Sequence, residues 1–210
     1  MNKQEKEMAL VKLNDEWGRK DLPLKSVATH AVPGEGNPDT DILFIGEAPG
    51  KNEDEQGRPF VGAAGKFLDQ LIAGIGYKRE DVFIANVIKH RPPGNRDPLP
   101  EEIEAYRPWL EGQIEIIKAH LIITLGRFSM EFLLGPGFSI TKIHGQPKRR
   151  NGRVIIPMYH PAAALYRGDL RPVLAADFAK IPKVLKLIRE GEAVSEEKKK
   201  EEQKSQKSLF

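Results

Sequence analysis

Four short runs made almost wholly of branched apolar residues constrain this chain more than any other feature: Asp41–Gly46 (DILFIG), Val82–Ile88 (VFIANVI), Leu121–Leu125 (LIITL) and Val154–Tyr159 (VIIPMY). A strand with one wet face alternates apolar with polar residues, whereas these runs are continuous, so each is expected to be covered on both sides, as in a parallel sheet. Helical spacing lies between them: Ala63–Ile75 carries Phe67, Leu68, Leu71 and Ile72, Pro100–Ala119 carries Ile103, Leu110, Ile114 and Ile117, and Arg127–Leu134 follows. The helix from Pro100 has an acidic first stretch of Glu101, Glu102 and Glu104, with Asp97 as its cap region. A last helix is predicted over Pro172–Glu190, kinked at Pro182. A weaker pattern within Met1–Trp17 offers Met8, Val11, Leu13 and Trp17 as the apolar side of an N-terminal helix. Strands alternating with helices predict a three-layer α/β/α fold around a central four-stranded parallel sheet.

Residues 1–191 read as a single domain, and 192–210 as a disordered charged tail whose five Glu and five Lys cancel. The rest of the chain holds 28 Lys plus Arg against 25 Asp plus Glu. That excess is too small to specify an anionic partner, so the placement of charge must do so. The chain has no cysteine, which excludes disulfides, thiolate-ligated metals and thiol nucleophiles. The five histidines never come closer than 16 residues apart, so no local ligand pair exists. No apolar stretch reaches signal-peptide or membrane-spanning length, and a cytoplasmic, monomeric protein without membrane association is expected.

Open parallel sheets bind ligands outside the carboxyl ends of their strands, which directs the search for a site. The first strand ends in Gly46-Glu47-Ala48-Pro49-Gly50. No dinucleotide fingerprint or P-loop lysine follows, and Glu47 would repel a phosphate, so phosphate cradling is disfavoured. The second strand delivers Asn86, whose amide could read the edge of a base or merely tie down a loop, and then the basic stretch Lys89-His90-Arg91-Pro92-Pro93-Gly94-Asn95-Arg96. The last strand ends in His160-Pro161, which topology aims at the same cleft.

In this order, GEAPG, the segment Glu53–Gly62 with Phe60, Asn86, Arg91–Pro98, Leu125-Gly126-Arg127 and His160-Pro161 resemble the family 4, thermostable prokaryotic, uracil-DNA glycosylases across residues 19–188. The resemblance implies a DNA-repair enzyme that flips uracil out of DNA and hydrolyses its N-glycosidic bond, leaving an abasic site. It implies that Phe60 stacks on the uracil ring, a gain of about 1 to 3 kcal/mol. Asn86 would pair with the base edge, His160 would donate to O2, and the Ala48 N–H would assist. Either Glu47 or Glu53 would position the water or steady the developing sugar cation. Members of the family usually hold a [4Fe–4S] cluster on four cysteines. The matching positions here are Arg19, Leu22, His90 and Tyr106, so no cofactor is expected, and Trp17, Leu22, Tyr106 and Trp109 could supply apolar packing in its place.

Two basic clusters are expected to flank the cleft and hold DNA phosphates: Lys89, Arg91 and Arg96, and Lys148, Arg149, Arg150 and Arg153 around the turn signal Asn151-Gly152. By the same resemblance Leu165 is the wedge that replaces the flipped base, with Arg167 and Arg171 beside it. The tail's end, with Gln206, Leu209 and Phe210, resembles a shortened sliding-clamp-binding motif. Uracil-containing DNA, single- or double-stranded, is thus the expected partner. A non-catalytic reader of such DNA, or one that traps the abasic sugar covalently through His90, is the alternative.

Overall fold

The computed structural model describes residues 1–191, so the clamp motif at Gln206, Leu209 and Phe210 lies outside the described residues. One mixed sheet has the strand order β1-β3-β2-β4-β6-β5. Its centre is the expected parallel set: β3 (Phe83–Asn86), β2 (Ile42–Gly46), β4 (Leu121–Leu125) and β6 (Arg153–Met158). The registers Leu43↔Phe83, Ile42↔Leu121 and Leu121↔Val154 put all four carboxyl ends on one edge. Two antiparallel edge strands, β1 (Glu35–Gly36) against β3 and β5 (Lys148–Arg150) against β6, complete the sheet; neither short polar strand carries a pattern of its own, and only the turn signal Asn151-Gly152 pointed to the β5–β6 hairpin. Asn151 and Gly152 both adopt positive φ in the β5–β6 turn, the conformation a two-residue hairpin with strand-like twist requires.

Among the described residues the sheet is flanked by α1 (Lys3–Gly18), α2 (Lys51–Gln56), α3 (Ala63–Gly74), α4 (Pro100–Ile117), α5 (Arg127–Leu134), α6 (Ile140–Ile143), α7 (Ala163–Tyr166) and α8 (Leu170–Phe178). Helical backbone resumes over 181–191. Alternate strand residues separate two cores. Ile42, Phe44, Ile123 and Ile156 pack with Leu68 and Ile72 of α3 and Leu174 and Phe178 of α8. Leu43, Ile45, Ile122 and Ile155 pack with Leu10, Leu110, Ile114 and Met130 of α1, α4 and α5. Among the described residues no helix is long and apolar enough to cross a membrane.

Three helix expectations need correction. The last helix breaks at the turn over 179–180 rather than kinking at Pro182, because Pro182 falls in the first turn of the new helix, where its missing N–H costs nothing. Helix α1 buries Leu10, with Leu13 and Trp17 partly covered, while Met8 and Val11 stay 60% and 61% exposed. Asn2, not an apolar signal, starts it through a capping box with Glu5. At α4 the Leu99 N–H is capped by Glu102 (2.8 Å), and Asp97 instead pairs with Arg127 (3.0 Å).

The segments that carry Leu22, His90 and Tyr106 meet in a clip of hydrogen bonds and stacked rings. The Tyr106 hydroxyl donates to the Pro23 carbonyl, which leaves it to accept from the His90 Nδ1–H at 2.6 Å. Tyr106 stacks on Trp109, and Trp109 on Trp17, with centroids 6.5 and 6.3 Å apart. The Trp109 Nε1–H donates to Asn14 of α1 at 2.8 Å. Tyr106→Phe removes both bonds and leaves the buried His90 Nδ1 without its partner, which costs about 2 kcal/mol and so lowers Tm by about 4–8 °C in a domain of this size. Calorimetry of that variant checks the point, and an unchanged Tm would remove the hydroxyl from the support of the fold.

Candidate active site

The carboxyl edge of the sheet becomes a pocket because β2 ends in a residue without a side chain. A Cβ on Gly46 would lie 2.4 Å from Asn86 Oδ1 and 2.6 Å from the Phe60 ring, so only glycine lets both approach the strand end. Phe60 holds a left-handed backbone (φ 51°), a strain of about 1–3 kcal/mol for a non-glycine residue that its surroundings must enforce. Arg79 does so: it donates to the carbonyls of Pro59 (2.5 Å) and Phe60 (3.2 Å) while paired with Glu35 and Asp69, both at 2.8 Å. Gly65 makes room on the other side, since a Cβ there would strike the Phe60 carbonyl. The Phe60 ring then stacks on His160, with centroids 5.5 Å apart. A cavity of about 510 Å³ opens over this group, walled by the GEAPG turn, Glu53, Phe60, Asn86, His160 and the segment Pro92–Asp97.

Each polar group in the pocket has a distinct state. Asn86 is buried at the end of β3, and its Oδ1 has no hydrogen-bond partner among the described residues. Such an orphan is costly unless something else bonds it. The His160 Nδ1 accepts from the Ala162 N–H at 3.1 Å, which leaves Nε2 to carry the ring proton. Burial pushes His160 down to about 4 against an opposing influence of Glu53, so near neutral pH the ring is an uncharged donor. Burial pushes the Glu47 carboxyl up to about 7; the Asp97 charge adds to the rise and Arg127 opposes it. No protein donor bonds the Glu47 carboxylate among the described residues.

Glu53 differs from Glu47. It is not part of a solvated acidic run: Oε1 accepts from the N–H groups of Val61 and Gly62, both at 2.9 Å, and Oε2 from Gly50 at 3.1 Å. It therefore ties the GEAPG turn to the loop that carries Phe60.

Several expected DNA contacts require correction. Lys89 is fully buried, not a loop cation: its Nζ donates to the Asn86 carbonyl at 2.7 Å and to Gln113 Oε1 at 2.6 Å. The reason is local, since Val87 and Ile88 still pair with the end of β2 and carry Lys89 inward. The Lys148–Arg153 hairpin does not flank the cleft. Its turn lies at the amino end of β6, about 16 Å of strand from Met158 at the rise of an extended chain, and so opposite the pocket. Arg96 lines the cleft, held by a two-pronged pair with Glu102 (2.5 and 2.9 Å), and Arg91 is bonded to the lining residue Asn95 (2.6 Å). Arg167 pairs with Asp169 at 2.7 Å beside α7.

Leu165 is 38% exposed on α7, but its neighbour Tyr166, 89% exposed, borders the pocket. Sequence reasoning gave no site role to Tyr166, Asn95, Asp97 or Arg79; an aromatic one residue beyond the expected wedge was the available signal for Tyr166. His90 is buried in the Tyr106 clip, away from the pocket lining, so a covalent role for it has no support. The four positions that match the family's cluster cysteines do not fit an iron–sulfur cluster. They supply no thiolate, Arg19 is exposed, Leu22 is apolar, and His90 and Tyr106 bond each other. Among the described residues no group of three or more His, Asp or Glu could hold a metal ion.

Residues 33–183 match the Uracil DNA glycosylase superfamily. The chain is 54% identical over 162 residues to a Type-4 uracil-DNA glycosylase of Sulfurisphaera tokodaii, covering 73% of this chain and 74% of the relative. It is 46% identical over 166 residues to one of Archaeoglobus fulgidus, covering 75% and 83%, and 45% identical over 168 residues to one of Thermotoga maritima, covering 78% and 88%. With glycine, Asn86, Phe60 and His160 converging as they do, and with relatives matched over most of their length, the chain belongs to the type-4 uracil-DNA glycosylases of the Uracil DNA glycosylase superfamily.

Proposed function

We propose that this protein is a DNA-repair glycosylase that takes a flipped-out uracil into the pocket and hydrolyses its N-glycosidic bond, leaving an abasic site. The observation that carries the reading is the buried, unpartnered Asn86 Oδ1 facing a cavity with room for one base. Uracil supplies what the site lacks: its N3–H donates to Oδ1 while the Asn86 amide donates to O4. Cytosine meets the same amide with both polarities reversed, which leaves buried polar groups unpaired and works against its uptake. Phe60 offers its face for stacking.

Bond cleavage puts negative charge on the departing base and positive character on the sugar. The neutral His160 Nε2–H stabilises the charge growing on O2, and the Ala48 N–H is a second fixed donor on that side. Glu47, free of protein donors and poised near neutrality, orients the attacking water as its carboxylate. Glu53, with both oxygens taken by backbone N–H groups, holds the turn in place instead. Tyr166, which borders the pocket, and its neighbour Leu165 fill the gap in the base stack, while Arg91, Arg96 and Arg167 bind the phosphates.

The test is single-turnover incubation with a labelled oligonucleotide that contains one uracil, followed by alkali and by a denaturing protein gel. Alkali-dependent strand cleavage with free protein is expected. Intact DNA would favour a reader, and a heat-resistant adduct would favour covalent trapping. Asn86→Ala and His160→Ala should each lower the excision rate by orders of magnitude with little change in binding to uracil-free DNA. An undiminished rate in either variant removes that residue from the pocket chemistry.

The rate should rise with pH through about 7 and then level off, because the active form of Glu47 is ionised, and Glu47→Gln should abolish that dependence. Stability moves the opposite way. The native Glu47 binds a proton more tightly than the unfolded one, so its contribution falls as pH rises from the ordinary carboxylate range through about 7. Glu47→Gln should therefore raise Tm at pH 8 and leave it unchanged near pH 4, as thermal melts at the two pH values would show.

A further inference from the structure

Lys89 is a fully buried lysine that the mechanism above does not use. Burying an ammonium in a protein interior is unfavourable, and among the described residues no carboxylate pairs with it: there the side chain bonds the Asn86 carbonyl and Gln113 Oε1. Gln113 is itself buried on α4 and held in turn, its Nε2 donating to the Pro33 carbonyl at 2.7 Å and toward Asn14 of α1 at 3.4 Å. Two helices thus brace one amine against the main chain of one residue, the residue whose side chain bears the orphaned oxygen. The peptide that Lys89 grips continues into Val87 and Ile88, whose N–H groups donate to the carbonyls of Gly46 (3.1 Å) and Glu47 (3.2 Å). One amine therefore fixes both the base-reading amide and the start of the GEAPG turn.

Resting on the reading of Asn86 as the uracil-binding residue, we propose that Lys89, braced by Gln113, is a positioning residue that sets Asn86 for uracil recognition. Burial lowers the Lys89 pKa to about 7, but the role does not depend on its charge. The ammonium has three N–H groups and the neutral amine two, enough in either form for both acceptors. An apolar side chain of similar length would fill the space and leave the Asn86 carbonyl without this bond, held by the sheet register alone.

The test is a mutant cycle on single-turnover uracil excision. Lys89→Met should lower the rate about 10- to 100-fold, the scale expected when a binding group is displaced by about an ångström, with binding to uracil-free duplex unchanged. In an Asn86→Ala background the same substitution should cost nothing further, because a residue that acts through Asn86 has nothing left to position. A Lys89→Met variant that excises at the parental rate overturns the proposal, as does an equal fractional loss in both backgrounds. If Lys89→Met does not fold, Gln113→Ala, which keeps the amine but removes its brace, should show a several-fold loss that also vanishes with Asn86→Ala. An Asn86→Ala protein with full activity instead refutes the reading of Asn86, a result distinct from the failure of Lys89.

Discussion

A buried amide oxygen without a partner is the constraint around which this structure is organised. Burying Asn86 Oδ1 unpaired destabilises the empty protein, by about 1–3 kcal/mol for a group of this kind, and the arrangement persists only because packing over-determines it. The enforcing parts come from every layer of the fold. Gly46 gives the oxygen space at the end of β2, Lys89 holds the Asn86 carbonyl from behind, and Phe60 closes one side on a strained backbone. On the proposed function, this firmly held and unsatisfied atom at the pocket is the group that recognises the base.

The supporting residues share one device, an ionisable side chain spent on main-chain atoms, charged in Glu53 and Arg79. Glu53 accepts three backbone N–H groups, Arg79 donates to two carbonyls, and Lys89 donates to one. Hydrogen bonds with a charged partner are stronger and more directional than neutral ones, so few of them suffice to fix loops that have no regular structure of their own. The chemistry is then left to groups with little internal bonding. Among the described residues Glu47 has no protein donor, and the bond from Ala162 to His160 Nδ1 decides the tautomer and leaves Nε2 for the ligand. Positioning and reaction are divided between different side chains, an arrangement that keeps the reacting groups responsive to substrate.

Much of this was legible in the sequence. The four continuous apolar runs gave the central strands within a residue or two, since a strand buried on both faces leaves no other pattern. The rule that ligands bind at strand carboxyl ends brought Glu47, Phe60, Asn86 and His160 to one pocket. Charge was where reading failed. Lys89 stands in a basic, proline-rich stretch that looks like a phosphate-binding loop, and its burial depends on Gln113, distant in sequence. The Lys148–Arg153 cluster belongs to a hairpin whose end of the sheet is fixed by the direction of β6, which residue types do not encode. Glu53 was indistinguishable from its acidic neighbours because its partners are backbone amides 8 and 9 residues on.

The absence of cysteine bears on how the periphery holds together. Hydrogen bonds from Tyr106 to His90 and Pro23 and the stack of Tyr106, Trp109 and Trp17 join the segments around Leu22 and His90 to α4 and α1. The central claim remains the recognition of uracil by an amide waiting for it. Its most direct measurement is titration of free uracil and of cytosine into protein labelled with ¹⁵N at asparagine, observing the Asn86 side-chain NH₂ resonances. The account predicts that uracil shifts those resonances and that cytosine at equal concentration does not. Uracil binding that leaves Asn86 unperturbed, or an equal response to both bases, would contradict it.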